Sequence, residues 1–528
     1  MVKDSSYAFA RYGLTEACEL GINSGRSYRE PNTYQDVDFH DLTPGTVYCI
    51  QPFSVRGNDT CYTRRVYACT TSLNSTGEVN VFFNQAVDNV LRYFSPANGS
   101  VRLDLTLIRR IEEARHSIDF CYRDMNGSVG EAIVDKLIAA QLRGVRVRAI
   151  FEADNAVHAA IERLRNHVPC IFDTFDRINA GWGLMNNAYT IIDARNRASD
   201  TDDWVLTGSW NPTDTSTLIA AENLIEIQDQ AVAVMFTRAF EEMWGGSTEI
   251  PDSSASRFGS RKRDTNPQGQ IYLEPESIWL ELFFGPGTSI FDRIIEYTNS
   301  CSSTYFASRS FTNYDIAEAL LQRGAVLPVR GVVDNAAVPG SVFPLLRIGG
   351  LDVASNSPEN RRLNENFVLF DPEYYGRGVI TGTQDWSLDA ARSDDAVSIF
   401  IHDNRITKEF AQEWYTRYRE AGGTGGLIIV GIDELSDLPR GFDLSIFPHP
   451  VRQGTQAAAV LEHSSDEVHH IMIFDALGRL LLDSVSDATG DNHHPIQLPT
   501  SSLRPGIHTL ILSDGDGALQ SRRFLVTP

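Results

Sequence analysis

Residues 185–193 read MNNAYTIID, and residues 363–371 read LNENFVLFD. Both are short, largely apolar runs that end in aspartate. Each is followed by a related turn, TGSWN at 207–211 in one case and TGTQD at 381–385 in the other. Two such pairs in the same order indicate an internal repeat.

Segments farther from these stretches also match in order. VFFNQ at 81–85 corresponds to LFFGP at 282–286, and FEEMW at 240–244 corresponds to FAQEW at 410–414. The sequence therefore predicts two copies of one structural unit, which we call the first half (residues 78–250) and the second half (residues 271–422). Residues 251–270, rich in Ser, Gly, Pro and charged residues, are predicted to be a linker.

The first half alternates predicted strands and helices. Its apolar patterns predict strands at 79–83, 117–122 and 145–151, and helices at 103–114 and 129–142. Such alternation is typical of an α/β sheet covered by helices.

Residues 1–75 have a different character, with two strand-like runs around a polar turn at 56–59. Tyr48 ends the segment LTPGTVY. This spacing resembles the tyrosine corner of a fibronectin type III sandwich, in which the hydroxyl bonds back to upstream backbone. The resemblance implies an N-terminal β-sandwich.

Residues 442–528 also read as strands and turns, with FPHP at 447–450 near their start and GIH at 506–508. This segment resembles the C-terminal sorting domain of the type IX secretion system, which opens on a Y-P-N-P-like turn before an immunoglobulin-like sandwich. The resemblance implies contact with that secretion machinery and export to the surface or medium of a Gram-negative bacterium.

The repeated stretches resemble the phospholipase D superfamily, whose members carry two H-x-K-x4-D motifs, each followed by G-S-x-N. The resemblance implies two half-sites that meet at a pseudo-two-fold axis. One histidine would attack phosphorus and the other would protonate the leaving oxygen, while lysine, serine and asparagine neutralise charge. The predicted fold is multidomain: a duplicated α/β core flanked by N- and C-terminal all-β sandwiches.

Both copies depart from that pattern where the chemistry resides. The histidine positions are Asn186 and Asn364, and the lysine positions are Ala188 and Asn366. The other motif positions are Asp193, Ser209 and Asn211 in the first copy and Asp371, Thr383 and Asp385 in the second. Because the amide nitrogen of asparagine is neither basic nor nucleophilic, we predict that none of these positions is catalytic.

Two enzymatic alternatives remain open. One is a secreted phosphodiesterase or nuclease with altered active-site residues. The other is new catalysis by Glu222, Asp394 or Asp395, carboxylates that otherwise bind loop backbone. Trp210 and Trp386, beside the former catalytic loops, are expected either to floor a ligand pocket or to pack between the halves.

The charge balance disfavours nucleic acid as a partner. Lys and Arg number 46 and Asp and Glu 69, so the formal net charge is 46 − 69 = −23, whereas nucleic-acid affinity comes mainly from neutralised phosphates. The chain has no run of 18 apolar residues, which predicts no membrane span, and its first residues show no secretory signal.

Four of the seven cysteines fall in the first 70 residues. Cys18, Cys49, Cys61 and Cys69 are disulfide candidates, with Cys49 predicted across from Cys69; buried free thiols are the alternative. No cysteine or histidine spacing indicates a metal site, and no motif indicates a cofactor.

These observations together predict a secreted or cell-surface protein without catalytic activity. Its expected role is binding or structural. It would act through self-association or through surface partners, for example as part of an extracellular assembly.

Overall fold

The computed structural model describes residues 7–24, 36–87, 96–173, 183–196, 199–263, 270–287, 289–356, 363–372 and 377–425. Near the C-terminus it describes residues 443–447, 451–454, 458–462, 469–475, 480–486, 496–498, 500–504, 506–513 and 519–527. The chain divides into two compact units, residues 1–90 with 96–427 and residues 91–95 with 428–528.

The N-terminal module has five strands: β1 (Tyr7–Gly13), β2 (Gly21–Ser24), β3 (Val47–Arg56), β4 (Asp59–Tyr62) and β5 (Val66–Cys69). They form one antiparallel sheet in the order β2-β1-β3-β4, with β5 also paired to β3. The hydroxyl oxygen of Tyr48 accepts a hydrogen bond from the Thr43 N–H at 2.9 Å, the bond that the tyrosine corner predicted. Within residues 7–24 and 36–75 there is this single sheet, not the facing pair that a sandwich requires.

The predicted pairing of Cys49 with Cys69 is wrong. Across β3 and β5, Cys49 lies opposite Tyr67, and Cys69 lies opposite Val47. The Sγ atom of Cys49 instead lies 3.7 Å from that of Cys18. The observed register of β3 against β5 differs by two residues from the one that would place Cys49 opposite Cys69. The alternation of residues in the two strands did not reveal this register.

The first half is a seven-stranded sheet with helices. Its elements are β6 (Val79–Phe83), α1 (Leu103–Glu113), β7 (Ser117–Tyr122), α2 (Gly127–Leu142), β8 (Arg146–Phe151), α3 (Ala159–Arg165), β9 (Cys170–Phe172), β10 (Ala188–Ile192), β11 (Trp204–Gly208), α4 (Asp214–Leu218), β12 (Asn223–Gln228) and α5 (Gln230–Trp244). The strand order is β6-β12-β11-β10-β7-β8-β9. The β7-β8-β9 pairs are parallel and the others antiparallel.

The second half contains β13 (Gln270–Leu273), β14 (Ile278–Phe284), α6 (Ser289–Ser300), β15 (Thr304–Ser308), α7 (Tyr314–Gly324), β16 (Val329–Val333), α8 (Phe343–Ile348), β17 (Asp352–Ser355), β18 (Asn366–Phe370), β19 (Gly378–Gly382), α9 (Leu388–Ser393), β20 (Val397–His402) and α10 (Asn404–Glu420). Its sheet runs β13-β14-β20-β19-β18-β15-β16-β17. From β14 onward, strand order and strand directions match the first half element by element.

Helices α5 and α10 occupy matching places and begin in the same way. Each follows a strand and starts at an aspartate whose carboxylate accepts a hydrogen bond from the helix's third N–H: Asp229 from Val232 and Asp403 from Ile406. Every residue of β10 and of β18 is buried. The runs that end in aspartate are therefore central strands, and apolar residues on both of their faces are needed because both faces are covered.

The segment between the halves is held by the second half. The Lys262 ammonium lies 2.7 Å from the buried Asp395 carboxylate, which also accepts a hydrogen bond from the Gly259 N–H. Residues 259–262 are thus anchored inside a stretch that composition assigned to a linker. Residues 264–269 of that stretch lie outside the described residues.

The C-terminal unit contains β21 (Asp443–Phe447), β22 (Val451–Arg452), β23 (Ala458–Glu462), β24 (His469–Asp475), β25 (Leu480–Ser486), β26 (Ile496–Gln497), β27 (Gly506–Ser513) and β28 (Leu519–Thr527). They form a three-stranded sheet, β21-β23-β26, and a five-stranded sheet, β22-β28-β27-β24-β25. Of the FPHP turn, residues 448–450 lie outside the described residues. No described helix of the chain combines the length and the apolar character that crossing a membrane requires.

Candidate functional site

A cavity of about 230 Å³ lies between the two halves, where β10 and β18 begin. Apart from one glycine its lining is polar or charged: Arg123, Asp124, Asn155, Asn186, Ser209, Asn211, Thr213, Ser216, Arg309, Asn364, Asn366, Gly382, Thr383 and Asp385. Seven of the ten predicted motif positions line it; Ala188, Asp193 and Asp371 do not.

The two histidine positions join the halves to each other. The Asn186 side-chain amide donates to the Thr383 carbonyl at 2.7 Å, and the Asn364 amide donates to the Glu222 carboxyl at 2.5 Å. Their backbone N–H groups also cross between the halves, to the carbonyls of Asp395 and Ala221. Both asparagines therefore stabilise the contact between the halves, and each side-chain amide already donates one hydrogen bond across it.

Neither lysine position supplies a cation. Ala188 is buried and has no polar side chain. The Asn366 side chain accepts hydrogen bonds from the Ser308 hydroxyl at 3.0 Å and the Arg309 N–H at 3.2 Å. Its amide donates to the Asp385 carboxylate at 3.2 Å.

The two motif aspartates are structural. Asp193 and Asp371 follow β10 and β18 at the ends away from the cavity, with positive φ angles of 59° and 53°. Asp193 accepts hydrogen bonds from the backbone N–H groups of residues 115–117, and Asp371 accepts them from residues 302 and 303. Each holds the start of the next strand in its sheet, β7 or β15. This role does not depend on catalysis.

The residues of the two G-S-x-N-like turns also bind backbone. The Ser209 and Thr383 hydroxyls accept hydrogen bonds from the first N–H groups of β12 and β20, each at 3.0 Å. The preceding glycines have φ angles of 149° and 144°, and a Cβ there would collide with a carbonyl of the neighbouring strand. Asn211 accepts a bond from the Asp124 N–H at 3.3 Å.

Two arginines that the sequence reasoning missed, Arg123 and Arg309, line the cavity, one from each half. Arg123 directly follows β7 and Arg309 directly follows β15, and their N–H groups donate to the carbonyls of Asn187 and Glu365. The strand pairings make these positions equivalent, since the residues before them lie opposite the two lysine positions. Alignment of the repeats beyond the motifs would have revealed them, because each is the first residue after the first parallel strand.

Buried carboxyl groups lie behind the cavity. Burial raises the pKa of Glu222 to about 8 and that of Glu365 to about 7, and it raises the pKa of Glu413 well above its ordinary value. The Asn223 amide of the first half donates to Glu365 of the second half at 2.8 Å. Glu222 is therefore largely protonated near neutral pH, whereas Glu365 is about half protonated there.

The other two carboxylates considered for catalysis are bound to backbone. Asp394 accepts a hydrogen bond from the Leu184 N–H at 3.0 Å, and Asp395 accepts one from Gly259. Neither lines the cavity. Glu222 does not line the cavity either, but its carboxyl accepts a hydrogen bond from the side chain of Asn364, which does.

Trp210 and Trp386 neither floor the cavity nor pack between the halves. Each is buried in the core of its own half. The Trp210 Nε1–H donates to the Thr217 hydroxyl at 3.0 Å. Within the described residues no three His, Cys, Asp or Glu side chains are grouped to hold a metal ion.

Comparison with known proteins identifies part of the chain. Residues 107–244 match the family described as "Cardiolipin synthase, PLD-like domain". This part of the chain is a phospholipase D-like domain. The match ends with α5 and leaves the second half outside it.

Curated relatives agree with this assignment. The chain is 28% identical over 128 residues to a mitochondrial cardiolipin hydrolase of Danio rerio, covering 24% of this chain and 55% of that protein. It is 28% identical over 180 residues to a phospholipase D of Rickettsia prowazekii (strain Madrid E), covering 33% of this chain and 80% of that protein. The chain thus spans about half the length of the zebrafish relative.

Similar solved structures include phosphatidylserine synthase of Haemophilus influenzae Rd KW20, with 13% identity, a TM-score of 0.46 and coverage of 65% of this chain and 86% of that one. Polyphosphate kinase of Porphyromonas gingivalis has 12% identity and a TM-score of 0.45, and the match covers 65% of this chain and 47% of that one.

The buried Glu222 carboxyl predicts a pH-dependent stability. Its pKa in the folded protein lies above the ordinary 4.5, so its stabilising contribution is complete below that value and is lost as pH rises towards 8. In Glu222→Gln, the fall in unfolding free energy between about pH 5 and pH 8 should be smaller by up to about 1.4 kcal/mol per pH unit. Chemical unfolding at several pH values measures this. Glu112→Gln, at an exposed position, is the control; an unchanged slope in Glu222→Gln would contradict the assignment.

Proposed function

We propose that this protein is a catalytically inactive member of the phospholipase D superfamily with a binding or structural role outside the cell. The observation that carries the proposal is the state of the four histidine and lysine positions. Three are asparagines engaged in hydrogen bonds, and the fourth is a buried alanine. No group at these positions can attack phosphorus or transfer a proton near neutral pH.

The cost of these replacements is large. A positioned general acid or base contributes about 10²–10⁴-fold to a rate, and loss of one preorganised charge-stabilising donor costs about 10²–10³-fold. The cavity arginines do not replace them as proton donors, because a guanidinium stays protonated in proteins. Glu222 could supply one protonated carboxyl but no second, nucleophilic group.

The second half is proposed to be a second phospholipase D-like unit. Its strand order and directions repeat those of the first half, and its degenerate motif lies at the equivalent strand. Asp371 binds the N–H groups before β15 as Asp193 binds those before β7. These parallels support a duplicated core with pseudo-two-fold symmetry.

The cavity is proposed to bind an anionic phosphate ester without cleaving it. Arg123 and Arg309 reach the same cavity from opposite halves and provide two cations where the two lysines are missing. Ser209, Thr213 and Ser216 also line the cavity. A guanidinium pairs readily with the planar or tetrahedral oxygens of an oxyanion.

The flanking modules support an extracellular location. The N-terminal sheet carries the tyrosine-corner bond of a fibronectin type III-like module. The C-terminal unit has two β-sheets in the segment that resembles a type IX secretion sorting domain. We propose that this machinery exports the protein, and that self-association or surface partners place it within an extracellular assembly.

Catalytic inactivity predicts no turnover of bis(p-nitrophenyl) phosphate or plasmid DNA by the purified chain, above a heat-denatured control. The matched variant carries Asn186→His, Ala188→Lys, Asn364→His and Asn366→Lys, and tests whether the scaffold can regain activity. The contrary result is turnover by the unaltered chain that disappears in Asn186→Ala and Asn364→Ala. That result would favour the competing function, a phosphodiesterase or nuclease with altered residues, for which Glu222 is the one supporting feature.

Anion binding predicts that diethyl phosphate binds the wild-type chain, as measured by calorimetry. The double variant Arg123→Gln, Arg309→Gln should bind about tenfold more weakly or worse, since a charge-assisted hydrogen bond contributes about 1.5–3 kcal/mol. Arg146→Gln, at an exposed strand end away from the cavity, should bind as wild type does. Equal affinity of the double variant and the wild type would rule out the two-arginine site.

Export predicts that deletion of residues 442–528 retains the protein inside a Gram-negative host that has a type IX secretion system. The full chain should appear at the cell surface or in the medium of the same host. Immunoblots of cell fractions measure the distribution, with a periplasmic enzyme as the control for leakage. Identical distributions of the full and truncated chains would count against the sorting assignment.

A further inference from the structure

The turn between β1 and β2 places two buried thiols in contact. Cys18 lies in this turn and Cys49 lies on β3, and the side chains are 6% and 1% exposed. Their Sγ atoms are 3.7 Å apart, although the residues are 31 positions apart in sequence. The contact is thus made by the fold of the N-terminal module and not by proximity along the chain.

A glycine makes this contact possible. Cys49 pairs with Gly13 across β3 and β1. A Cβ at residue 13 would lie 2.7 Å from the Cys18 Cα, so the backbone of Cys18 occupies the space that a side chain opposite Cys49 would fill. Any other residue at position 13 would push Cys18 away from Cys49.

Hydrogen bonds hold the turn in this position. The Cys18 N–H donates to the Thr15 carbonyl at 3.1 Å, and the Leu20 N–H donates to the Tyr12 carbonyl at 3.0 Å. The exposed Glu19 carboxylate accepts hydrogen bonds from the Leu14 N–H at 2.9 Å and the Thr15 hydroxyl at 2.7 Å. Cys18 is therefore fixed over Cys49.

The other cysteines have different surroundings. Cys61 is exposed on β4. The Sγ of Cys69 lies 3.9 Å from the Ala231 carbonyl, and that of Cys121 lies 3.7 Å from the Met185 sulfur. Cys170 contacts the Val168 carbonyl, and Cys301 contacts Arg377. All seven cysteines lie within the described residues, and Cys18 and Cys49 are the pair whose sulfur atoms touch.

We propose that Cys18 and Cys49 form a disulfide bond in the exported protein, and that the other five cysteines remain thiols. The bond would form by exchange with a disulfide oxidant: one thiolate attacks the oxidant to give a mixed disulfide, and the second thiolate attacks the protein sulfur of that mixed disulfide and releases the oxidant's thiolate. Two thiols lose two protons and two electrons, and the oxidant's disulfide is reduced to two thiols.

Bond formation is expected during folding. Burial raises the pKa of the Cys49 thiol, and the thiolate is the reactive form. Once the turn has closed, exchange at Cys49 is slow, and the same burial protects the finished bond from reductants. The crosslink restricts the unfolded chain across a 31-residue separation, which is how disulfides stabilise small β modules.

The test uses the full chain isolated from an oxidising compartment, the bacterial periplasm. The denatured protein is treated with iodoacetamide without reductant. We expect five alkylated cysteines, the total of seven minus the two in the bond, and all seven after reduction. The same chain made in a reducing cytoplasm should show seven alkylated cysteines without reductant. This control shows that the reagent reaches every cysteine.

Trypsin identifies the partners, because arginines separate the four N-terminal cysteines onto the peptides 12–26, 30–56, 57–64 and 66–92. A reductant-sensitive species joining 12–26 to 30–56 supports the proposal. Seven alkylated cysteines in the periplasmic protein, or a species joining any other two peptides, overturns it. The proposal rests on the proposed export for its oxidising compartment, which the periplasmic preparation supplies directly. Because neither result bears on phosphodiester turnover, anion binding or secretion, failure of the disulfide and failure of the proposed function are distinguishable.

Discussion

The central cavity depends on two matched aromatic contacts that cross between the halves. Phe236 of α5 meets Phe284 of β14 edge to face, with ring centroids 5.1 Å apart. Phe410 of α10 meets Phe83 of β6 in the same way, also at 5.1 Å. Each helix ring packs in addition against the strand that begins at the cavity. Such pairs contribute roughly 0.5–1.5 kcal/mol beyond the area they bury, and here they join the two halves beside the strands that begin at the cavity.

The residues at the two histidine positions stabilise the contact between the halves. A histidine and a lysine at each half-site would bring positive charge close to the opposite half, whereas Asn186 and Asn364 bring neutral amides that donate across it. Glu222 is tolerated there because burial keeps it largely uncharged near neutral pH, and burial also raises the pKa of Glu365, to about 7. The motif aspartates and hydroxyls bind backbone, and the glycines leave room for a neighbouring carbonyl.

Sequence periodicity predicted much of the first half. The strand predicted at 79–83 has the same two ends in the structure. The helix predicted at 103–114 ends one residue earlier, and the helix predicted to begin at residue 129 begins at Gly127. These elements have strong apolar patterns, since they cover or form a buried sheet. The pairing of Cys49 and the anchoring of Lys262 were not predictable, because they depend on strand register and on a partner more than a hundred residues away.

The sequence alone determined the repeat, the central strands and the absence of histidine and lysine from both motifs, because these are properties of residue type and spacing. Tertiary structure decided what the remaining residues do. Asn186 meets Thr383 across 197 positions, and Arg123 and Arg309 reach one cavity from separate halves. These polar side chains bind partners that are far away in sequence. Such contacts form only when distant segments pack together, so local sequence patterns do not reveal them.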